Sequence, residues 1–175
     1  MHICASGGTV GLGHAVLCAE RAVGGDPFAV LLADDFLTDY EPGVTADLTQ
    51  AYALSRKSQL SVMEVVGPDI SKYGVVVPNE SGAGIAGLVE KPEADDAPSN
   101  LASIGRYVLT PEIFETLRGL KAGSGGEIQL ADAINILAQQ GKVETVRLNG
   151  RRFDCGSVDG FMQASSREYK QRLVN

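Results

Sequence analysis

FAVLLADD, residues 28–35, is an apolar run that ends in two carboxylates. A continuous apolar stretch of this length suits a strand buried on both faces of a mainly parallel sheet. Sheets of that kind place their ligands beyond the carboxyl ends of the strands. Asp34 therefore stands where a hard divalent ion such as Mg2+ takes oxygen ligands. A plainer role is also open to it, since Asp34 or Asp35 can cap the turn after the strand.

Working outward, strands and helices alternate, which predicts an α/β fold. On the N-terminal side GLGHA, residues 11–15, reads as a glycine-rich loop entering a helix over residues 15–23, which Gly24 and Gly25 close. Glycine lets a backbone approach a ligand closely, and a helix N-terminus favours anions. His14 needs no more than its place at the start of that helix. On the C-terminal side residues 45–57 read as a helix. Residues 60–66 and 73–77 read as β-branched strands joined by GPDISK, and residues 85–89 as a strand running into Glu90-Lys91-Pro92. PEADDAPSN is polar and proline-bearing, hence a loop, and residues 101–109 are a strand.

Thr110-Pro111 has the chemistry of a helix start, with Thr as N-cap and Pro at the first helical position. Residues 127–140 follow as an amphipathic helix ended by Gly141. Short strands over 143–148 and 151–153 precede a final helix over 158–173. The expectation is one α/β domain over residues 1–175 with a central mixed, mainly parallel sheet.

Three segments besides Asp34 carry chemistry. Asp154, in RRFDCGS, follows a short strand and precedes a Gly-Ser turn. Capping the next helix explains it alone, but Mg2+ sites in phosphoryl chemistry take one or two carboxylates plus substrate oxygens. Two strand-end carboxylates distant in sequence can meet at one sheet edge. Glu90 can accept hydrogen bonds from paired sugar hydroxyls and Lys91 can neutralise a sugar phosphate, or the two form a surface ion pair of little consequence. Gly74 lets a sugar lie against the backbone, or it marks a bulge.

Composition narrows the partners. Fifteen basic against twenty-two acidic residues give a formal net charge of −7, which argues against nucleic acid, because phosphate contacts need clustered Lys and Arg. A phosphorylated small molecule stays compatible, since one metal ion and a few placed cations hold it. No apolar run approaches a membrane span, and MHICASGG has neither the basic nor the apolar part of a signal peptide. Cys4, Cys18 and Cys155 have no zinc or redox spacing. Free thiols without an export signal predict a cytoplasmic protein.

GLGHAVLCA, FAVLLADD, SKYGVVVP, GLVEKPE, ASIGRYVLTPEIF, GEIQLADAI and RRFDCGS, in this order, resemble the bacterial UTP–glucose-1-phosphate uridylyltransferases within the sugar nucleotidyltransferase superfamily. The resemblance runs from Gly11 to the final helix. It implies a Rossmann-like nucleotidyltransferase fold and Mg2+-dependent transfer of UMP from UTP to glucose 1-phosphate. It makes Asp34 and Asp154 the metal ligands and sets Gly13 against the uridine side. Gly74, Glu90 and Lys91 then hold the glucose phosphate, with Lys91 also assisting transfer.

The sequence departs from the family pattern in three places. The family opens with a strand and a Gly-rich loop bearing Arg and Lys, absent here, which marks the fold as N-terminally truncated. It carries a uracil-reading Gln before GLGHA, where MHICASGGTV offers Ser6, and a Lys after FDCGS, where this chain has Val158-Asp159. On this reading the 175-residue chain has no uridylyltransferase activity by itself and self-associates as a homo-oligomer. The rival expectations are a non-catalytic remnant, a sibling enzyme with another base or sugar, and an adaptor.

Overall fold

Gly11 takes φ +88° and opens helix α1, Gly11–Cys18, in the computed structural model, which describes residues 11–79, 84–121 and 126–174. The reading of residues 1–10 thus lies outside the described residues. GLGHA is helical from its first glycine, not a loop, and packing supplies the reason. A Cβ on Gly13 would lie 2.7 Å from the Ile128 carbonyl oxygen and 2.9 Å from Leu117 Cδ2. Without one, Gly13 N–H donates to that carbonyl at 2.9 Å. The helix expected to Val23 breaks at Ala19 into α1 and the short α2, Glu20–Val23, which Gly24 ends at φ +70°.

The remaining elements fall close to expectation, except that residues 35–38 form a strand that the sequence reading did not anticipate. They are β1 (Phe28–Leu31), β2 (Asp35–Thr38), α3 (Val44–Ser55), β3 (Ser58–Glu64), a 3-10 turn (Pro68–Lys72), β4 (Gly74–Pro78) and β5 (Ile85–Glu90). A second 3-10 turn, Ala94–Asp96, sits in the expected loop. Then come β6 (Leu101–Leu109), α4 (Glu112–Gly119), α5 (Leu130–Gln139), β7 (Val143–Arg147), β8 (Arg151–Asp154) and α6 (Val158–Val174). The start expected for α5 at residue 127 is early. Gln129 is extended at φ −86°, ψ 131°, because this stretch delivers the Ile128 carbonyl to α1. Thr110 does not cap α4 with its side chain; its hydroxyl lies against Ser58 and donates to Glu112.

The central sheet is mixed, in the order β5-β4-β6-β3-β7, with β1 paired to β6. Its expected parallel character is corrected: among the described residues only β3 and β7 run parallel, and the other pairs are antiparallel. The apolar run 28–33 misled because it is not buried on both faces. Phe28 and Val30 are half-buried, whereas Ala29 and Leu31 are exposed. Leu31 lines an open groove with Leu37, Tyr40 and Leu148.

The core lies between one sheet face and helices α1, α4 and α5, around Leu60, Val62, Leu109, Phe114 and Leu137. Phe28 stacks on Phe114 with ring centroids 5.0 Å apart. Helix α3 covers the other face through Val44, Leu48 and Val108. The exposed edge of β5 is met by a side chain, since Asn135 of α5 accepts from Leu88 N–H and donates to Leu88 C=O. Beside the main sheet, β2 and β8 form an antiparallel ribbon, and α6 packs on β8. No helix among the described residues is long and apolar enough to cross a membrane.

Candidate active site

Strand β6 changes partner partway along. Strand β3 follows one edge; on the other, β4 pairs at Ala102 and β1 pairs from Arg106 to Leu109. Between those pairings the neighbours diverge, and a cleft of about 230 Å³ opens over Ser103 and Gly105. Its walls come from the end of β1 (Leu32, Asp34), the start of β4 (Tyr73, Gly74), the end of β5 (Glu90), Arg152 of β8 and the start of α5 (Leu130, Ile134). The cleft thus lies beyond strand ends, in a largely antiparallel setting.

The two aspartates read as a pair do come together. Asp35 and Asp154 are register partners in the ribbon, and Cys155 N–H donates to the Asp34 carbonyl at 2.7 Å. These backbone links bring both carboxylates over Gly156. A Cβ there would lie 3.1 Å from Asp154 Oδ1 and 3.5 Å from Asp34 Oδ2. The absent side chain thus leaves a small cradle flanked by two carboxylate oxygens. Asp154 Oδ1 also accepts from Gly156 N–H at 3.1 Å, and the Asp154 carbonyl accepts from the Ser157 hydroxyl at 3.0 Å. Both aspartates are exposed to solvent.

In the cleft wall, Gly74 faces Glu90 across the β4–β5 ladder. A Cβ on Gly74 would press to 3.1 Å from Glu90 Oε2, so glycine lets that carboxylate lie over the strand. Lys91 follows in the left-handed region at φ +45°, its N–H donating to the Tyr73 carbonyl at 3.0 Å. Lys91, Gly13 and Asp154 do not line the cleft, whereas Leu12 and Lys72 do. Lys72 Nζ pairs with Asp69 at 2.7 Å, and that hydrogen bond raises the lysine pKa above its ordinary value.

Beneath the surface the cleft carries a charged pair. Asp35 is buried, accepts from Gly105 N–H through Oδ2, and is held through Oδ1 by Arg152. A side chain on Gly105 would meet Leu32 Cβ at 2.6 Å and Asp35 Oδ2 at 2.7 Å, so glycine is required there. Tyr107, on the cleft floor, has its phenol pushed up to about 12, first by burial, with Asp35, Glu90 and Asp34 adding to the rise against a lowering hydrogen bond from Ser103. Its hydroxyl therefore stays protonated through the neutral range.

A protein-family model described as nucleotidyl transferase matches residues 3–171. The chain belongs to the nucleotidyl transferase family. It is 43% identical over 160 residues to the UTP–glucose-1-phosphate uridylyltransferase of Pseudomonas aeruginosa, covering 89% of this chain and 57% of the relative. The enzyme of the same name from Escherichia coli K12 is 44% identical over 165 residues, covering 88% and 54%. The crystal structure of a UDP-glucose pyrophosphorylase complexed with UDP-glucose superposes with a TM-score of 0.87 at 43% identity, covering 94% of this chain and 64% of that one. The chain thus spans just over half the length of the curated relatives it matches.

Within this nucleotidyl transferase, the cradle over Gly156 suits a hard divalent cation in donor type, with oxygen on both sides and carboxylate charge to balance it. Of the sequence-predicted residues, Asp34, Gly74 and Glu90 line the cleft and Asp154 stands beside Asp34 over Gly156. Sequence reading missed Asp35 as a buried anchor, and it missed Arg152, Gly105, Tyr73 and Lys72. One signal was available for Arg152: strand alternation puts it on the same face of β8 as Asp154.

Proposed function

We propose that this nucleotidyl transferase transfers UMP from UTP to glucose 1-phosphate, giving UDP-glucose and pyrophosphate. The observation that carries the reading is the meeting of Asp34 and Asp154 over Gly156, beside a cleft that Asp34, Gly74 and Glu90 line together. The likeness to uridylyltransferases at 43–44% identity supports the choice of base and sugar. Family members generally work with a divalent metal, and in this proposal the ion is Mg2+, held by Asp34 and Asp154. When bound, it offsets the repulsion between two phosphates that must approach each other.

The chain's own groups position the substrates. Glu90 accepts hydrogen bonds from glucose hydroxyls, and Gly74 gives the sugar a bare strand to lie on. Lys91, with Lys72 at the cleft wall, adds positive charge near the sugar phosphate, and the start of α1, seated by Gly13 against Ile128, borders the uridine side. An oxygen of the sugar phosphate attacks the α-phosphorus of UTP in line; its new P–O bond forms as the bond to pyrophosphate breaks. The attacking phosphate is already ionised, so no general base is needed, and catalysis rests on orientation and charge neutralisation. The proposal extends to a cytoplasmic homo-oligomer. Helix α6 presents Phe161, Met162, Tyr169 and Leu173 to solvent, an apolar row that a second copy can cover.

The test is Glu90→Ala. A charge-assisted hydrogen bond contributes about 1.5–3 kcal/mol, so calorimetry should show glucose 1-phosphate binding weakened by roughly one to two orders of magnitude, with the melting temperature unchanged because Glu90 is exposed. Unchanged affinity would reduce Glu90 to a surface residue and remove the sugar assignment.

A further inference from the structure

Arg152 makes more contacts in the cleft than any catalytic reading requires of it. Its Nε donates to Asp35 Oδ1, and Nη2 pairs with the same oxygen. Its Nη1 donates to the Tyr73 hydroxyl at 3.0 Å, with the guanidinium 5.1 Å from the Tyr73 ring centroid. Nη2 also stands 3.9 Å from Asp154 Oδ2. The side chain is only 13% exposed. One planar group therefore touches the residue after Asp34, the strand that carries Asp154, and the residue before Gly74.

This arrangement does not suit a phosphate clamp. The buried Asp35 neutralises the guanidinium, and Nε and Nη1 already donate to Asp35 and Tyr73. An ion pair this deep adds little net stability against an apolar pair of the same shape; its better-attested use is to fix one arrangement. Arginine's rigid fork does this where a lysine point charge cannot.

We infer that Arg152 is a positioning residue that couples the two ends of this arrangement, setting Asp154 against Asp34 while holding Tyr73, and so Gly74, at the sugar end. The inference rests on the function proposed above, because it assigns a cation to one end and a sugar phosphate to the other. Arg152 reaches both assignments through other residues and touches neither ligand.

The experiment measures Mn2+ binding by electron paramagnetic resonance and glucose 1-phosphate binding by calorimetry, each beside a melting curve. Arg152→Lys keeps the charge and loses the fork. It should weaken both ligands by roughly 10–100-fold, the range seen when a residue supporting a metal ligand is replaced. Tyr73→Phe removes one partner at the sugar end and should weaken glucose 1-phosphate alone. The double variant Asp35→Asn/Arg152→Met removes the buried charges together, so it should melt near the parent while both affinities stay low.

Parental affinities in a folded double variant would overturn the inference, because Arg152 would then only be balancing Asp35. Loss at one end only, in both Arg152 variants, would also overturn it, since nothing would couple the ends. If the parent protein binds neither probe, the functional reading falls and takes this inference with it.

Discussion

At one end of the β2–β8 ribbon Arg152 holds Asp35; at the other, just past β2, Arg167 and Arg151 hold Asp39. The residue types match, but the surroundings differ. Asp39 Oδ1 accepts from Arg167 at 2.9 Å and Gln171 at 2.7 Å, while the buried Oδ2 has Arg151 Nε at 3.4 Å, an ion pair without hydrogen-bond geometry. Thr38 adds a bond to Glu168 at 3.1 Å. The contacts of Arg167, Gln171 and Glu168 bolt α6 onto the ribbon, while Arg151 belongs to the ribbon itself. At the cleft end the ion pair is internal, and two further carboxylates stand outside it, facing one space. Burying one aspartate with its arginine leaves the next aspartate in the chain available. An acidic cluster becomes a candidate ligand set when a neighbour absorbs the local cation.

The comparison is most exposed to Arg152→Met. That change leaves Asp35 charged, buried and unpaired, which should cost about 3–5 kcal/mol in urea unfolding. Arg167→Met leaves Asp39 with Arg151 and Gln171, so it should cost less and show itself as faster hydrogen exchange in α6. Equal losses at the two ends would erase the distinction.

Next in size, Asp154→Asn and Asp34→Asn should each weaken Mn2+ binding measured by electron paramagnetic resonance. The folded state should be unharmed or slightly more stable, because two exposed like charges face each other. Substantial unfolding in either variant would mean that these aspartates, like Asp39, are bolts.

A smaller effect is expected at Gly160, where a Cβ would run into the Asp154 carbonyl. Gly160→Ala should cost about 1–3 kcal/mol through overpacking, and it should shift Asp154 enough to weaken Mn2+ binding. A stable variant with parental Mn2+ affinity would show that the turn after β8 does not set the carboxylate.

The smallest effect is on pH dependence. The Arg167 hydrogen bond, with the Arg167 and Arg151 charges and Gln171, outweighs burial and holds the Asp39 carboxyl below its ordinary value. A carboxylate with a depressed folded-state pKa contributes stability that is present above its unfolded value and lost as pH falls through the folded one. Helix α6 should therefore stay docked at neutral pH and loosen only below the usual carboxylate range. Asp39→Asn should remove that acid-dependent step from the hydrogen-exchange profile of α6.

The order and type of the elements were legible because apolar periodicity, β-branching and glycine stops are local signals. Strand direction was not. The run 28–33 has the composition of a strand buried in a parallel sheet, yet β1 pairs antiparallel with β6, a partner far along the chain. Composition reports how apolar a surface is, not which neighbour covers it. At the cleft, residues bearing a recognisable motif were legible: Asp34, Gly74, Glu90 and Asp154. Asp35 and Arg152 were hidden because their importance lies in each other, and pairing between distant strands is a tertiary fact. Gly13 was read for what its missing side chain admits, whereas the described contacts are with Ile128 and Leu117.

The change of partner along β6 also works as a ruler. From Ala102, which pairs with β4, to Arg106, which pairs with β1, the backbone advances roughly 13 Å at about 3.3 Å per residue. Both banks of the cleft are fastened to that one strand, so its span along β6 is a whole number of residues and cannot drift. Side-chain replacements can reshape the banks without altering that length. A one-residue insertion would lengthen it by a single step and turn every later side chain of β6 to the opposite face, so the span can change only together with the core.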